Sequence, residues 1–353
     1  MFEARYSKQL DQTYHESARA CHCGAKLRRR VMSALKELHS WVDGHINVKG
    51  VYRRLQVAAR FLVVGTFADD SIRVTFDYSG QVLTMQSVGF GLAIASILPA
   101  VFIMTQGVSV FLIVSEIAPE PGCLALLVWT GLHPFIYKQE SNLEFLLESV
   151  TIMGGLMVLL SSERQNRKAK QRKEQPSQMI DPGETAEEAN KMNLLQLCGR
   201  ICISAVFLYY GGKMMHERVQ SFSLGDENFF LAAFEGVLMV FLLLITGFLV
   251  AGMKSRWCAL LLALVMALSA LYKHPWFITM WSKSTFALDF VVGFEDTYVD
   301  AWLYSDHQRY FFFQQISTVG ALLQLVVHGP GRYSLDEQDG PVQVVTLTSK
   351  GMD

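Results

Sequence analysis

The stretch from Leu83 to Ser115 contains no charged residue, and a run of that length constrains this chain more than any other feature. A helix crosses the hydrocarbon core of a bilayer with about 20 apolar residues. Leu231 to Gly252 and Cys258 to Tyr272 are similar runs with few or no charges. Over 353 residues, 51% hydrophobic and 18% charged side chains exclude disorder. A formal net charge of -1 argues against a nucleic-acid binder, which would show a basic excess. The expected fold class is all-α, a polytopic membrane helix bundle. No signal peptide is expected, because the first apolar run comes only after Arg60.

Eight spans can be drawn: 57–78, 83–115, 122–137, 143–162, 197–215, 229–251, 257–272 and 308–328. The second is too long for one upright helix and is taken as a single tilted one, kinked at Pro99 or Gly107. Cytosolic segments should hold the Lys and Arg. With the N-terminus cytosolic, they would contain the basic region 1–55, the cluster Arg164, Arg167, Lys168, Lys170, Arg172 and Lys173, the pair Lys254 and Arg256, and the tail 331–353. Both termini are expected in the cytosol. Within 1–55, Leu27, Val31, Leu35 and Leu38 recur at helical spacing beside basic residues, which suits a helix on an anionic membrane face or one packed on cytosolic loops. Residues 163–196, with Pro176, Pro182 and alternating charge blocks, are expected to be a flexible cytosolic linker.

That linker separates two similar units, 56–162 and 197–330. Arg60, Phe67 and Arg73 match Arg200, Phe207 and Lys213 with the same spacing, and Cys123 with Tyr137-Lys138 matches Cys258 with Tyr272-Lys273. Phe145 to Leu159 aligns without a gap on Phe311 to Leu325, which sets Gly154-Gly155 over Gly320-Ala321. Three matches in register and in order point to an internal duplication in parallel orientation. The second unit carries an extra segment, 273–309, on the lumenal side. Gly154, Gly155 and Gly320 are expected to let helices pack closely.

Charged groups inside spans are costly, about 2.5–3.5 kcal/mol each on insertion scales, so they should face the bundle interior and pair. Asp69, Asp70, Arg73 and Glu148 are such groups, and Asp70 lies one turn from Arg73. They can form a polar pocket or a purely structural pair. The segment 273–309 interleaves Trp276, Trp281, Trp302 and Tyr304 with Asp289, Asp300 and Asp306. Such residues can form an interfacial aromatic belt, or line a groove whose carboxylates draw in a positive group. Cys21-His22-Cys23 has no second ligand pair at zinc spacing, so no metal is expected. The six cysteines suggest no disulfide framework, and no phosphate loop or nucleophile elbow occurs. No cofactor is expected.

The run Thr66-Phe67-Ala68-Asp69-Asp70-Ser71-Ile72-Arg73 is similar to the Phe-x-acidic-Asp-Gly-Ile-Arg motif of the surfeit locus protein 4 family, with Ser71 in place of the glycine. Gly199-Arg200, Gly252-Met253-Lys254, Tyr310 to Gln314 and Gly329-Pro330-Gly331 extend the resemblance from about Leu55 to Glu337. A DoxX-like four-helix unit underlies that family. The chain differs where Glu148-Ser149 replaces the usual Arg-Asn, in its long basic head and lumenal segment, and in a tail that ends Lys350-Gly351-Met352-Asp353 rather than in a lysine-rich signal.

The resemblance implies a receptor that is not an enzyme. It would sit in the endoplasmic reticulum membrane, cycle to the Golgi, bind soluble secretory cargo in the lumen and recruit vesicle coat components in the cytosol. Cargo of this family is associated with a hydrophobic N-terminus, whose amine would meet Asp69 and Asp70 in the bundle or the aromatic and acidic segment outside it. Membrane lipids are further expected partners. Two other classes remain open: a DoxX-like oxidoreductase, for which no lumenal cysteine pair, haem-type histidine pair or flavin motif is visible, and a small-molecule transporter using Asp69, Asp70 and Arg73.

Overall fold

The computed structural model describes residues 48–174, 182–224, 229–288 and 297–335. The described residues divide between two units, the first ending at Arg54 and the second beginning at Leu55. The basic head before residue 48, Cys21-His22-Cys23, Asp289 and the tail from 336 lie outside the described residues. The described elements are α1 (Val48–Val63), α2 (Gly65–Phe76), α3 (Tyr78–Ser87), α4 (Leu92–Val114), α5 (Pro119–Ile136), α6 (Leu143–Glu174), α7 (Pro182–Leu224), α8 (Phe229–Ala251), α9 (Ser255–Lys273), α10 (Trp276–Thr279) and α11 (Ala301–His328). Two short strands, β1 (Phe286–Ala287) and β2 (Tyr298–Val299), pair antiparallel.

The protein is a polytopic helical membrane protein. Six helices among the described residues are long and apolar enough to cross a membrane: Leu92–Val114, Leu143–Lys168, Glu187–Gln220, Phe234–Ala251, Ser255–Thr279 and Ala301–His328. Each corresponds to one of the eight expected spans. The other two, 57–78 and 122–137, form helices that do not meet that standard. The first is divided at Val64 into α1 and α2, although Val64 N→Arg60 O and Ala68 N→Val64 O keep the two nearly continuous. The second is α5, whose 18 residues include Glu120, His133 and Pro134.

Three expectations about the chain's course are corrected. Leu83–Ser115 is not one tilted helix. It breaks between α3 and α4 at residues 88–91, where Gly89 adopts φ 108, a conformation that side-chain-bearing residues avoid. Pro99 sits inside α4 without ending it. Residues 163–196 are not a flexible linker throughout, because α6 continues to Glu174 and α7 begins at Pro182. Charge blocks in that region stabilise solvated helices: Lys191 pairs with Glu187 one turn away at 2.8 Å, and Lys168 on α6 reaches Glu188 on α7. Finally, 301–309 is the first part of α11 rather than loop.

Helix α11 is central, with 56% of its apolar stretch buried, whereas α8 is peripheral at 17%. The principal packing runs α4–α5–α6–α7–α8–α9–α11, and α11 also packs on α2 and α6. The sequence repeat is visible in these contacts. A Cβ added at Gly154 would lie 2.7 Å from Cys202 Cβ and 2.9 Å from Ile203 N. At the matched Gly320 it would lie 2.7 Å from Leu62 Cβ and 2.4 Å from Val63 N, and Leu62 and Val63 are the residues matched to Cys202 and Ile203. Each unit's last helix therefore packs on the other unit's first helix, in the same way. On Gly155 a Cβ would meet its own counterpart, Ala321, at 2.7 Å. Glu148 likewise lies near its counterpart Gln314, two turns away. Both self-matched pairs lie along α6 and α11, so the pseudo-twofold axis runs parallel to these helices, as parallel repeats require.

Candidate functional site

Polar side chains collect at the two ends of the bundle. The antiparallel course of α6 and α7 defines the levels: Ser161 meets Met192 near one end, and Glu144 meets Lys213 near the other. The first end would be cytosolic in the expected topology. There Arg60, 5% exposed, donates through Nε and Nη2 to Glu163 Oε1 at 3.2 and 2.5 Å and also contacts Glu116. Glu120 draws Arg164 and Arg167 to 3.4 and 3.3 Å. The matched Arg200, 1% exposed, instead donates to the carbonyls of Pro330 and Tyr333 at 3.0 and 2.7 Å, holding residues 330–333 against α7. One arginine position thus serves carboxylates in one unit and backbone in the other.

At the opposite end, Asp70 Oδ1 accepts from Arg73 Nη2 at 2.6 Å and its Oδ2 from Gln106 Nε2 at 2.8 Å. The Arg73 guanidinium also lies 5.8 Å from the centre of the Tyr310 ring, a cation–π distance. Asp69, 9% exposed, is approached by Arg309 Nε at 3.0 Å, an ion contact without hydrogen-bond alignment. Arg309 Nη2 reaches Asp306 Oδ1 at 3.2 Å. Three carboxylates and two guanidinium groups therefore lie at this end in two groups, Asp70 with Arg73 and Gln106, and Asp69 and Asp306 on Arg309. Leaving a buried ion without its partner costs about 3–5 kcal/mol, so these pairs hold α2, α4 and α11 together.

Beside these groups Glu148 accepts from the Tyr210 hydroxyl at 3.3 Å. Lys213, matched to Arg73, pairs with Glu144 at 2.6 Å, and Glu144 is matched to Tyr310. The contact of Arg73 with Tyr310 between the units thus has an ion pair as its counterpart.

Arg309 and Asp306 also line a cleft with Trp276, Met280, Trp302 and Ser305. Its void is about 200 Å³, including the part open to the outside. Helix α10 is tied to α11 by the Thr279–Ser305 hydroxyl contact at 2.8 Å, and Phe286 of β1 stacks on Tyr304 at 4.6 Å. Asp69 in the bundle and the aromatic segment outside it thereby meet at Arg309, whereas Asp70 is engaged by Arg73 and Gln106. The other candidates stand apart. Trp281 is 80% exposed and does not line the cleft. Asp300 caps α11, accepting from Leu303 N at 3.2 Å.

Sequence reasoning overlooked Arg309 and Gln106. Arg309 had a visible signal, since Asp306 and Arg309 repeat the spacing of Asp70 and Arg73. Gln106 had none, being one polar residue in an apolar run.

The sequence profile of the SURF4 family matches residues 45–340. The chain is 26% identical over 295 residues to the Surfeit locus protein 4 homolog of Schizosaccharomyces pombe, covering 80% of this chain and 81% of that protein. It is 24% identical over 285 residues to the Surfeit locus protein 4 homolog of Drosophila melanogaster, covering 80% of this chain and 89% of the relative. No solved structure matches the chain. The matched region contains the Asp69–Arg73 run, both repeated units and the cleft at the start of α11, and on that match the protein belongs to the SURF4 family.

Proposed function

We propose that this protein is a cargo receptor of the endoplasmic reticulum membrane, which binds soluble secretory proteins in the lumen and packages them into coated vesicles bound for the Golgi. The observation that carries the proposal is the joining of a buried charged network to an open aromatic cleft at the end opposite the basic α6–α7 hairpin. A binding protein needs such a chamber on the cargo side and a separate surface for the coat on the other. The extension of α6 and α7 beyond the packed bundle supplies that second surface, with Arg164, Arg167 and Lys168 on it. The ionisable groups at the cleft are held in ion pairs, an arrangement suited to recognition. The protein would cycle between the two compartments with its cargo.

The test is loss of the chain from cells that express it, with soluble secretory proteins followed by pulse-chase and by lumenal proximity labelling. Delayed exit of a defined set of soluble proteins, and their recovery by labelling, is expected. Unchanged exit of every labelled protein would overturn the proposal.

A further inference from the structure

We infer that the turn between α8 and α9 binds the phosphate of an anionic phospholipid through Arg256, with Lys254 adding a second positive charge. The site is separate from the cleft at the start of α11 and does not rest on the receptor reading. Phe234–Ala251 and Ser255–Thr279 are both long and apolar enough to cross a membrane, and three residues join them. So short a turn between two spans has to sit at the level of the lipid headgroups. The buried Arg200 marks which end this is, since its Nη1 lies 2.9 Å from where a Cβ on Gly252 would stand. Its counterpart Arg60 holds Glu116 and Glu163 at the same end of the first unit.

Comparing the two units shows what the turn lacks. In the register set by Cys123 and Cys258, Glu116 and Glu120 correspond to Ala251 and Ser255, while Pro119 and Pro121 correspond to Lys254 and Arg256. Extending the match of α6 with α11 by four residues sets Glu163 on Gly329. The three carboxylates that hold arginines in the first unit are thus replaced by uncharged residues, and two bases are gained. The Arg256 guanidinium lies over Gly329, its Nη2 and Nε 3.2 and 3.4 Å from where a Cβ would be, so the place of the missing carboxylate is beside it. No carboxylate among the described residues pairs with Arg256. Both bases also stand at the start of α9, the positive end of a helix dipole, where the matching α5 carries Glu120. A bound anion relieves this repulsion, and the planar guanidinium fork matches two oxygens of a phosphate. Below the turn Trp257, Leu260, Leu264 and Leu268 form an exposed stripe along α9, on which the acyl chains of the same lipid can lie.

Native mass spectrometry of the full-length protein in detergent, titrated with phosphatidic acid, phosphatidylserine and phosphatidylcholine, tests the site. The two anionic lipids should bind about fivefold or more tighter than phosphatidylcholine, the scale of one basic residue at an anionic surface. Arg256→Gln should remove about fivefold of the anionic-lipid affinity, and adding Lys254→Asn should bring the loss to about 25-fold. Asparagine suits this test because Lys254 has φ 45, which it tolerates. Arg256→Lys should keep part of the affinity, and Lys283→Gln, the same change of charge on an exposed residue beyond α10, should leave it unchanged. Equal affinity for the three lipids, or an equal loss in Arg256→Gln and Lys283→Gln, overturns the inference. Glycerol phosphate binding as tightly as phosphatidic acid would make the ligand a soluble phosphate and overturn it too. The carboxylates Asp336 and Glu337 follow Ser334, which packs on Gly252. If anionic lipid bound only to the variant Asp336→Asn/Glu337→Gln, the chain's own tail would be the partner of the turn and the inference would fall.

Discussion

Gly320→Ala should destabilise the bundle although alanine is the better helix former. The added methyl would sit 2.4 Å from Val63 N and 2.7 Å from both the Leu62 carbonyl carbon and Leu62 Cβ, where ordinary contact begins at 3.4 Å. Two of these three opposing atoms belong to the backbone of α1 and cannot rotate away, so α11 and α1 must separate by about 1 Å, and overpacking of this kind costs about 1–3 kcal/mol. The backbone contact puts the cost at the upper end, and the helix-propensity gain of about 1 kcal/mol leaves a net loss of about 2 kcal/mol. Gly236 provides the control, because an added methyl there meets nothing within 4 Å. Gly236→Ala should therefore be neutral or stabilising by up to about 1 kcal/mol. Thermal unfolding in detergent, followed by tryptophan fluorescence and by recovery of monodisperse protein, measures both. Gly154→Ala should behave like Gly320→Ala, since Gly199 O and Ile203 N stand 2.7 and 2.9 Å away. If all three variants shifted alike, the contact that relates the two units would carry no weight in stability.

Arg60→Met should lower stability by about 3–5 kcal/mol by leaving Glu163 buried without its guanidinium, and the double variant Arg60→Met/Glu163→Leu should regain part of that loss in unfolding midpoint and cellular abundance. At the other end, Arg73→Ala should reduce abundance or export more than Asp70→Asn, which keeps an acceptor for Gln106; unchanged abundance and export in both variants and in their combination would make the pair dispensable. The expected topology places both termini and residues 175–181 in the cytosol, so tags there should be digested by protease added to sealed microsomes, and protection of any one of the three would refute that arrangement.

Features that depend on local spacing were legible in the sequence. Apolar length drew eight spans, six of which are helices long and apolar enough to cross a membrane among the described residues, and the one-turn separation of Asp70 and Arg73 was enough to expect their ion pair. Matching Gly154-Gly155 to Gly320-Ala321 located the close helix contacts, because small residues in mid-helix serve the same purpose wherever they pack. The resemblance carried by Thr66 to Arg73 pointed to the family to which the chain belongs.

Other features needed the tertiary structure, and the reason differs from case to case. The break at residues 88–91 depends on a glycine at positive φ, which an uncharged run conceals while Pro99 attracts attention. Residues 163–174 and 182–196 carry the composition of a linker, yet they are helical, with the exposed pairs Lys191–Glu187 and Lys168–Glu188 adding only a little to that. Asp300 and Asp306 are both acidic residues of one segment, and only the start of α11 between them makes the first a cap and the second part of a cleft. Asp69 finds Arg309 near the far end of the chain because α2 and α11 are neighbours, a pairing that no local periodicity encodes. Apolar length, register and charge placement were enough to expect a duplicated bundle of membrane helices with charges that had to be paired, since burying an unpaired ion in apolar surroundings is too costly. Which distant charges pair depends on which helices the fold makes neighbours, as α2 and α11 are for Asp69 and Arg309, and each unit's last helix packs on the other's first where Gly154 and Gly320 leave room for the facing backbone.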